Sequence, residues 1–327
     1  MKRLYIFKKG VLKREGNTLC IYSKDGKRFI PVKNVSSIYV FSEVSFNKRL
    51  LEFLTQNGIV LHLFNYFGYY IGSFYPRLHY PSEYIILKQV SHYIDHRHRL
   101  EIAKYIVLGS IENMLSILRY YKRLGMDLDK EINILRENIK ILWEIDDIDG
   151  LRGLEGRSRR IYYMSWNKII TKDGFKFQYR SRRPPENRLN ALISFGNTLL
   201  YTTILGEIFK THLDPRIGYL HETNFRRYTL NLDIADIFKP VIVDKIIFNL
   251  INRGVLTEKD FSRQAKGIFL REAGRKRFVE AFERRLQESI NMNRRRVRYD
   301  RVIRMELYKL EKHLIGDKTY TPYILKT

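Results

Sequence analysis

The hydrophobic period of this chain changes once, near residue 80, and that change narrows the folds open to it. Before it, short β-branched and aromatic runs at 4–7, 18–23, 37–41, 59–64 and 69–74 are separated by Gly, Asn, Asp and Lys, the pattern of short strands. Asp25-Gly26 is a hairpin signal flanked by two such runs. One helix interrupts them: Phe46, Leu50, Phe53 and Leu54 recur at helical spacing, and Asn57-Gly58 supplies the stop. Pro76 and Pro81 bracket a short linker, after which the period is helical throughout. The fold class expected is α+β, with an N-terminal β-rich domain over residues 1–80 and a larger, mainly α-helical domain over residues 81–327.

Within the second part, Ile132, Leu135, Ile139 and Leu142 line one face of an amphipathic helix. Asp149-Gly150 can start a helix that carries Glu155 about one and a half turns in. The stretch 171–179 reads as a loop or small hairpin, and Pro184-Pro185 ends an extended segment. Asn187 can cap a long apolar helix reaching about Phe209. From Arg263 to Arg304 the pattern reads as strongly basic helices, with Arg294-Arg295-Arg296 the densest cluster. From Lys318 onward the sequence resembles a loose tail, and no internal repeat is visible.

Charge then limits the partners. The formal net charge is +25 and the pI near 9.9, so a polyanion is the natural ligand. Apolar residues at 44% are enough for real cores, so the charge does not come from a disordered basic tail. A single cysteine, Cys20, excludes a disulfide framework and a Cys-based zinc site. No apolar run approaches the roughly 18 residues of a membrane span, and the first residues lack a signal-peptide core. Amphipathic and lipidation signals are also absent, so a membrane partner is not expected and the chain reads as cytoplasmic. The many Tyr and Phe read mainly as packing residues, with some ring faces available to stack on bases.

Three residues from separate segments stand out as possible metal ligands: Glu155 in Leu-Arg-Gly-Leu-Glu-Gly-Arg, His221 after Gly-Tyr-Leu, and Asp236 in Asn-Leu-Asp-Ile-Ala-Asp-Ile. Two carboxylates and an imidazole suit Mg²⁺ or Mn²⁺. Such an ion inside a polycation points to chemistry on a phosphodiester, where it polarises a phosphate oxygen and lowers the pKa of a bound nucleophile. Each residue alone has a simpler reading. Glu155 stands four before Arg159, the favourable orientation for a helical ion pair. His221 could be a packed or capping residue. Asp233 and Asp236, three apart, share a helix face, and either could face the helix dipole. Lys239 could stabilise charge at the same site or be a solvated lysine before Pro240.

A rival cluster, His92, Asp95, His96 and His98, has two histidines one helical turn apart. It lacks a glutamate between them, and Lys88 and Arg97 oppose a cation, so a polar helix face or a DNA contact is the better reading. Walker-type phosphate loops and Ser-His-Asp hydrolase signals are absent.

Taken in order, the motifs resemble those of the CRISPR-associated spacer-acquisition integrases, the Cas one family, over nearly the whole length. The β-domain pattern runs from Glu43-Val-Ser-Phe through Leu-Leu-Glu-Phe-Leu and Asn57-Gly58-Ile-Val to Gly72. Leu154-Glu155-Gly156 matches the family's catalytic glutamate motif. Arg183-Pro184-Pro185, Asn190-Ala-Leu-Ile-Ser-Phe-Gly196 and Tyr201 resemble its long central helix. Leu213-Asp214-Pro215 with Gly218-Tyr-Leu-His221-Glu222, then Thr229-Leu-Asn-Leu-Asp233, Asp236 and Lys239-Pro240, resemble the segments carrying the histidine and the acidic ligands. Two positions depart from the pattern: Asp236 stands where many members have Glu, and His212 where glycine is commoner.

The resemblance implies Glu155, His221 and Asp236 as metal ligands for Mg²⁺ or Mn²⁺, with Asp233 close by and assisting. It implies a homodimer and a small CRISPR-associated partner (Cas two), together forming a heterohexamer. The expected substrates are double-stranded DNA with 3′ overhangs and CRISPR repeat DNA, joined by transesterification from a 3′-hydroxyl. With water in place of that hydroxyl the same site is an endonuclease. A repair or junction-cleaving nuclease using the same ligands, and a non-enzymatic basic nucleic-acid scaffold, are the alternative readings.

Overall fold

The computed structural model describes residues 2–77, 82–223, 228–264, 267–292 and 295–326. The chain divides into two compact units, Met1–Tyr80 and Pro81–Thr327.

In the first unit, β1 (Lys2–Ile6), β2 (Gly10–Glu15), β3 (Thr18–Ser23), β4 (Gly26–Pro31), β5 (Val35–Val40) and β6 (Val44–Phe46) precede α1 (Lys48–Gln56), and β7 (Val60–Phe64) and β8 (Tyr70–Phe74) follow it. They form two four-stranded sheets, ordered β1-β5-β7-β8 and β4-β3-β2-β6. Alternation decides the faces. Ile6, Ile38, Val40 and Leu61 join Leu12, Leu19 and the α1 residues Leu50, Phe53 and Leu54 in one core. The intervening residues put a ladder of rings on the other face of the first sheet, with Tyr5–Tyr39 centroids at 4.8 Å, Phe7–Phe41 at 5.1 Å and Phe41–Phe64 at 4.2 Å. The Asp25-Gly26 signal is the β3–β4 turn, with Ser23 paired to Gly26 and Gly26 at φ 109°. Asn47 caps α1 by accepting from the Leu50 amide, and Gly58 ends it at φ 64°. Strands β2 and β6 were not expected from the sequence, and β4 was implied only by the hairpin signal. β4 is exposed at almost every position, so no buried face marks it.

The second unit holds α2 (Glu83–Ile94), α3 (His96–Arg123), α4 (Asp129–Leu142), α5 (Ile148–Ile169), α6 (Arg188–Ile208), α7 (Leu230–Phe238) and α8 (Lys245–Asn252). A hairpin of β9 (Phe261–Gln264) and β10 (Gly267–Leu270), then α9 (Glu272–Gln287), a hairpin of β11 (Ser289–Met292) and β12 (Arg295–Arg298), and α10 (Tyr299–Leu314) complete it. α3 packs against α4, α5 and α7, and α6 is apolar all round and buried along most of its length. Asn187 caps α6 through the Asn190 amide, as its position suggests. α5 begins earlier than expected, because Asp147 accepts from Gly150 N and so is the cap. On α4 the buried face takes Asn138, which donates to Ser158 Oγ at 2.9 Å, and leaves Ile139 half-buried.

Two expectations need correcting, on the basic region and on the C-terminal segment. The basic region from Arg263 to Arg304 is not all helical, since Arg295 and Arg296 lie on β12; Arg294 lies outside the described residues. The 171–179 stretch is a loop with one tight turn at Asp173–Phe175, one of the two readings its sequence allowed. The segment after Lys318 is no loose tail, for Tyr320 is fully buried and Tyr323 nearly so. Among the described residues no helix is long and apolar enough to cross a membrane.

Candidate active site

α7 runs directly into α8 through one wide turn, Pro240–Asp244, closed by an Asp244 N–H to Lys239 C=O bond of 3.0 Å. Pro240 has no amide hydrogen to continue the α-helical ladder, which accounts for the widening. The turn follows the site residues Asp233, Asp236 and Lys239 immediately.

Asp233 is fully buried in the first turn of α7, but it does not serve that helix's own dipole. Oδ2 accepts from the amides of Tyr219 (2.5 Å) and Leu220 (3.1 Å), and Oδ1 accepts from the His221 amide (3.0 Å). The loop 213–221 therefore wraps its backbone around one carboxylate. Gly218 makes the approach possible: a Cβ there would lie 2.9 Å from Asp233 Oδ2 and 2.8 Å from the Thr229 carbonyl carbon. Thr229 Oγ1 accepts from Gly218 N at 2.9 Å, and buried Gln89 of α2 holds the loop's start by accepting from Asp214 N at 2.7 Å.

The same Asp233 Oδ1 accepts from the His221 ring at Nδ1, 2.8 Å away. That bond fixes the tautomer and leaves Nε2 with its lone pair, 4.0 Å from Asp236 Oδ2. Asp236 is buried, and its Oδ1 pairs with the Lys239 ammonium. The Lys239 ammonium also lies 5.0 Å from the Tyr201 ring centroid. Burial alone would push the Asp236 carboxyl up, but Lys239, His221 and Arg159 outweigh it and hold it at about 2. Burial opposes charge on the His221 ring, yet the bond to Asp233 and the field of Asp236 raise its pKa.

Glu155, on α5, comes to the same place through Arg159. The guanidinium binds Glu155 Oε1 from Nε (3.0 Å) and from a terminal nitrogen (2.8 Å), and that terminal nitrogen lies 3.5 Å from Asp236 Oδ1. It also donates to Ser110 Oγ of α3 at 2.8 Å. The helical ion pair read from the sequence is thus present, but it also bridges to the second carboxylate. The structure brings together Glu155, His221, Asp233, Asp236 and Lys239.

The donor set suits a hard divalent ion. Ligand bonds of about 2.0–2.2 Å allow two donors on one ion to stand up to ~4.4 Å apart, and His221 Nε2 and Asp236 Oδ2 fall inside that limit. Among the described residues no three His, Cys, Asp or Glu side chains are preassembled as a metal cage, and Arg159 and Lys239 neutralise the carboxylates directly. In the rival histidine group Asp95 caps α3 through His98 N, and His92 Nδ1 donates to Lys88 C=O.

Asp244 went unnoticed in the sequence. It is fully buried, and the Tyr162 hydroxyl is the hydrogen-bonding group that faces its carboxyl. Burial, only partly offset by Arg159 and Lys239, pushes it up to about 7. Its signal was a lone acid in the apolar run Val-Ile-Val-Asp244-Lys-Ile-Ile. On α5, Arg157 and Arg160 are exposed near Glu155, so the helix carrying one acid also offers cations to a phosphate backbone.

Comparison with known proteins identifies the family. The family described as "CRISPR associated protein Cas1" matches residues 4–284. The chain is 47% identical over 325 residues to "CRISPR-associated endonuclease Cas1 2" of Thermodesulfovibrio yellowstonii, covering 99% of this chain and 98% of that one. The solved structure of a CAS1 protein from Thermotoga maritima has a TM-score of 0.90 at 45% identity, covering 99% of this chain and 100% of that chain. A chain of a Cas6-RT-Cas1–Cas2 complex shares the fold at a TM-score of 0.85 and 19% identity, covering 100% of this chain and 36% of that chain. Matched by the family over most of its length and by a close relative over nearly all of it, the chain belongs to the CRISPR-associated Cas1 family.

Proposed function

We propose that this protein is the divalent-metal-dependent DNA endonuclease and integrase of CRISPR adaptation, with Glu155, His221 and Asp236 as its metal ligands. The observation that carries the site assignment is the His221 ring, fixed by Asp233 so that Nε2 faces the Asp236 carboxylate. Family membership and the endonuclease names of full-length relatives support the activity.

A bound Mg²⁺ or Mn²⁺ would polarise a phosphate oxygen and favour the alkoxide form of an attacking hydroxyl. The chain's own residues supply the remainder. Asp233 has both oxygens committed to amides and to the imidazole, so its role is to position His221 rather than to bind the ion. Lys239 places a positive charge beside Asp236, where negative charge develops on the phosphorus oxygens. Glu155, paired with Arg159 in this structure, would be the third ligand of a bound ion, and the Arg159 guanidinium beside it would neutralise phosphate charge. In transesterification a DNA 3′-oxygen forms the new P–O bond while the 3′-oxygen of the repeat strand leaves. With water as the attacking group the outcome is hydrolysis.

The proposed partners are double-stranded DNA with 3′ overhangs, CRISPR repeat DNA, a second copy of the chain and Cas2, in a heterohexamer acting in the cytoplasm. The net charge of +25 favours DNA. The β-rich unit, with its edge strands β1, β8, β4 and β6, is the surface proposed for self-association. The test incubates the protein and purified Cas2 with a labelled short duplex bearing 3′-hydroxyls and a supercoiled plasmid carrying the repeat. Label joined to the plasmid only with Mg²⁺ or Mn²⁺ is expected. Nicking without joining would reduce the function to a nuclease, and binding without chemistry would refute enzymatic function.

A further inference from the structure

The segment after α10 is held against three helices at once. Tyr320 OH donates to Glu306 Oε1 of α10 at 2.6 Å, and the Tyr323 amide donates to the same oxygen at 3.0 Å. On α3, fully buried Asn113 accepts from Leu325 N at 2.7 Å and donates to Tyr323 C=O at 2.9 Å, while Ser116 Oγ donates to Leu325 C=O at 2.8 Å. Gly109, one turn before Asn113, is what admits the segment, because a Cβ there would lie 2.6 Å from Pro322 Cβ. A polar side chain that satisfies three backbone groups in a dry interior is a costly one to replace.

The third helix is α7. Asn113 also donates to Ile237 C=O at 2.8 Å, and the Tyr323 ring stacks on Phe238 with centroids 5.4 Å apart and planes at 11°. Ile237 and Phe238 are the two residues between Asp236 and Lys239. They occupy the last turn of α7, where Pro240 interrupts the ladder and the backbone most needs outside support. Ser110, on the same stretch of α3, holds Arg159.

We propose that the Tyr320–Leu325 segment is part of the active-site framework, with Asn113 and Tyr323 as positioning residues that fix the last turn of α7 and so aim Asp236 and Lys239. The inference rests on the reading of Asp236 as a metal ligand. Neither Asn113 nor Tyr323 touches the substrate or the ion; each acts through the backbone that carries the ligand.

The experiment compares the full-length protein with Tyr323→Leu, which keeps the segment's backbone bonds but loses the ring on Phe238, and with Asn113→Leu. Phe282→Leu, a core change in α9, controls for general loss of stability. Mn²⁺ affinity is read by the EPR signal of free Mn²⁺, beside thermal stability, DNA affinity and the Mn²⁺ concentration giving half-maximal strand transfer. Both positioning variants are expected to weaken Mn²⁺ binding by about ten- to a hundredfold, as changes just outside a ligand shell do. Excess Mn²⁺ restores their turnover, DNA affinity is unchanged, and Phe282→Leu lowers the melting temperature without touching Mn²⁺ affinity. Wild-type Mn²⁺ affinity in folded Tyr323→Leu overturns the inference, even if Asn113→Leu fails to fold. Absence of Mn²⁺ binding by the unmodified protein would instead remove the metal reading beneath it.

Discussion

Asp233 Oδ1 accepts from both the backbone amide and the ring Nδ1 of His221, at 3.0 and 2.8 Å. One buried oxygen therefore sets where the histidine's backbone lies and which ring nitrogen carries the proton.

Asp233→Asn keeps the shape but turns one acceptor oxygen into a donor facing amide or imidazole hydrogens. The expected result is a loss of about ten- to a hundredfold in metal affinity or in strand transfer, with the DNA affinity preserved. Metal titration of the variant checks this; a wild-type response would make Asp233 a passive core group.

Arg159 bridges the Glu155 and Asp236 carboxylates. Arg159→Met leaves both acids without that buried partner and should destabilise the metal-free protein by about 3–5 kcal/mol. Because a divalent ion supplies the missing charge, Mn²⁺ should raise the variant's melting temperature more than the wild type's. Equal shifts in the two proteins would argue that the ion does not bind between these carboxylates.

Asp244 gives a pH dependence of defined sign. Its folded value of about 7 lies above the ~3.9 of an unfolded aspartate, so between these values the folded state binds more protons. The contribution to stability is complete below about pH 4 and is lost as pH rises to about 7, after which it stays lost. Asp244→Asn cannot ionise. Its melting temperature relative to wild type should climb from pH 4 to 7 and then level off. A pH-independent difference would mean that Asp244 is ionised throughout.

Much of the fold could be read from the residues because local chemistry and tertiary context agree there. Asn187 before an apolar run, and Leu50 to Leu54 ahead of Asn57-Gly58, each carry a start or stop signal with a physical cause, whereas Phe46, expected on that helix, lies on β6. The misses share a different cause. β4 is exposed, and the β11 and β12 strands are four residues each with no buried position, too short for a period of two to declare itself. Tyr320 and Tyr323 sit among polar residues and become core only through Glu306, Asn113 and Phe238, contacts far away in sequence. At the site, Glu155, His221, Asp233, Asp236 and Lys239 stood out by motif, but Arg159's reach to Asp236 depends on α5 and α7 meeting across α3. Asp244 is perturbed by burial, which the sequence expresses only as one acid in an apolar run.

The central claim is that Glu155, His221 and Asp236 hold the catalytic ion, while DNA affinity resides in the many exposed Lys and Arg side chains. The most direct measurement is Mn²⁺-dependent strand transfer by Glu155→Ala, His221→Ala and Asp236→Ala, with DNA binding and melting temperature measured on the same samples. Each variant is expected to bind DNA nearly as wild type does, to remain folded, and to give no detectable joined product. Near-wild-type joining by any one of them would remove that residue from the metal site.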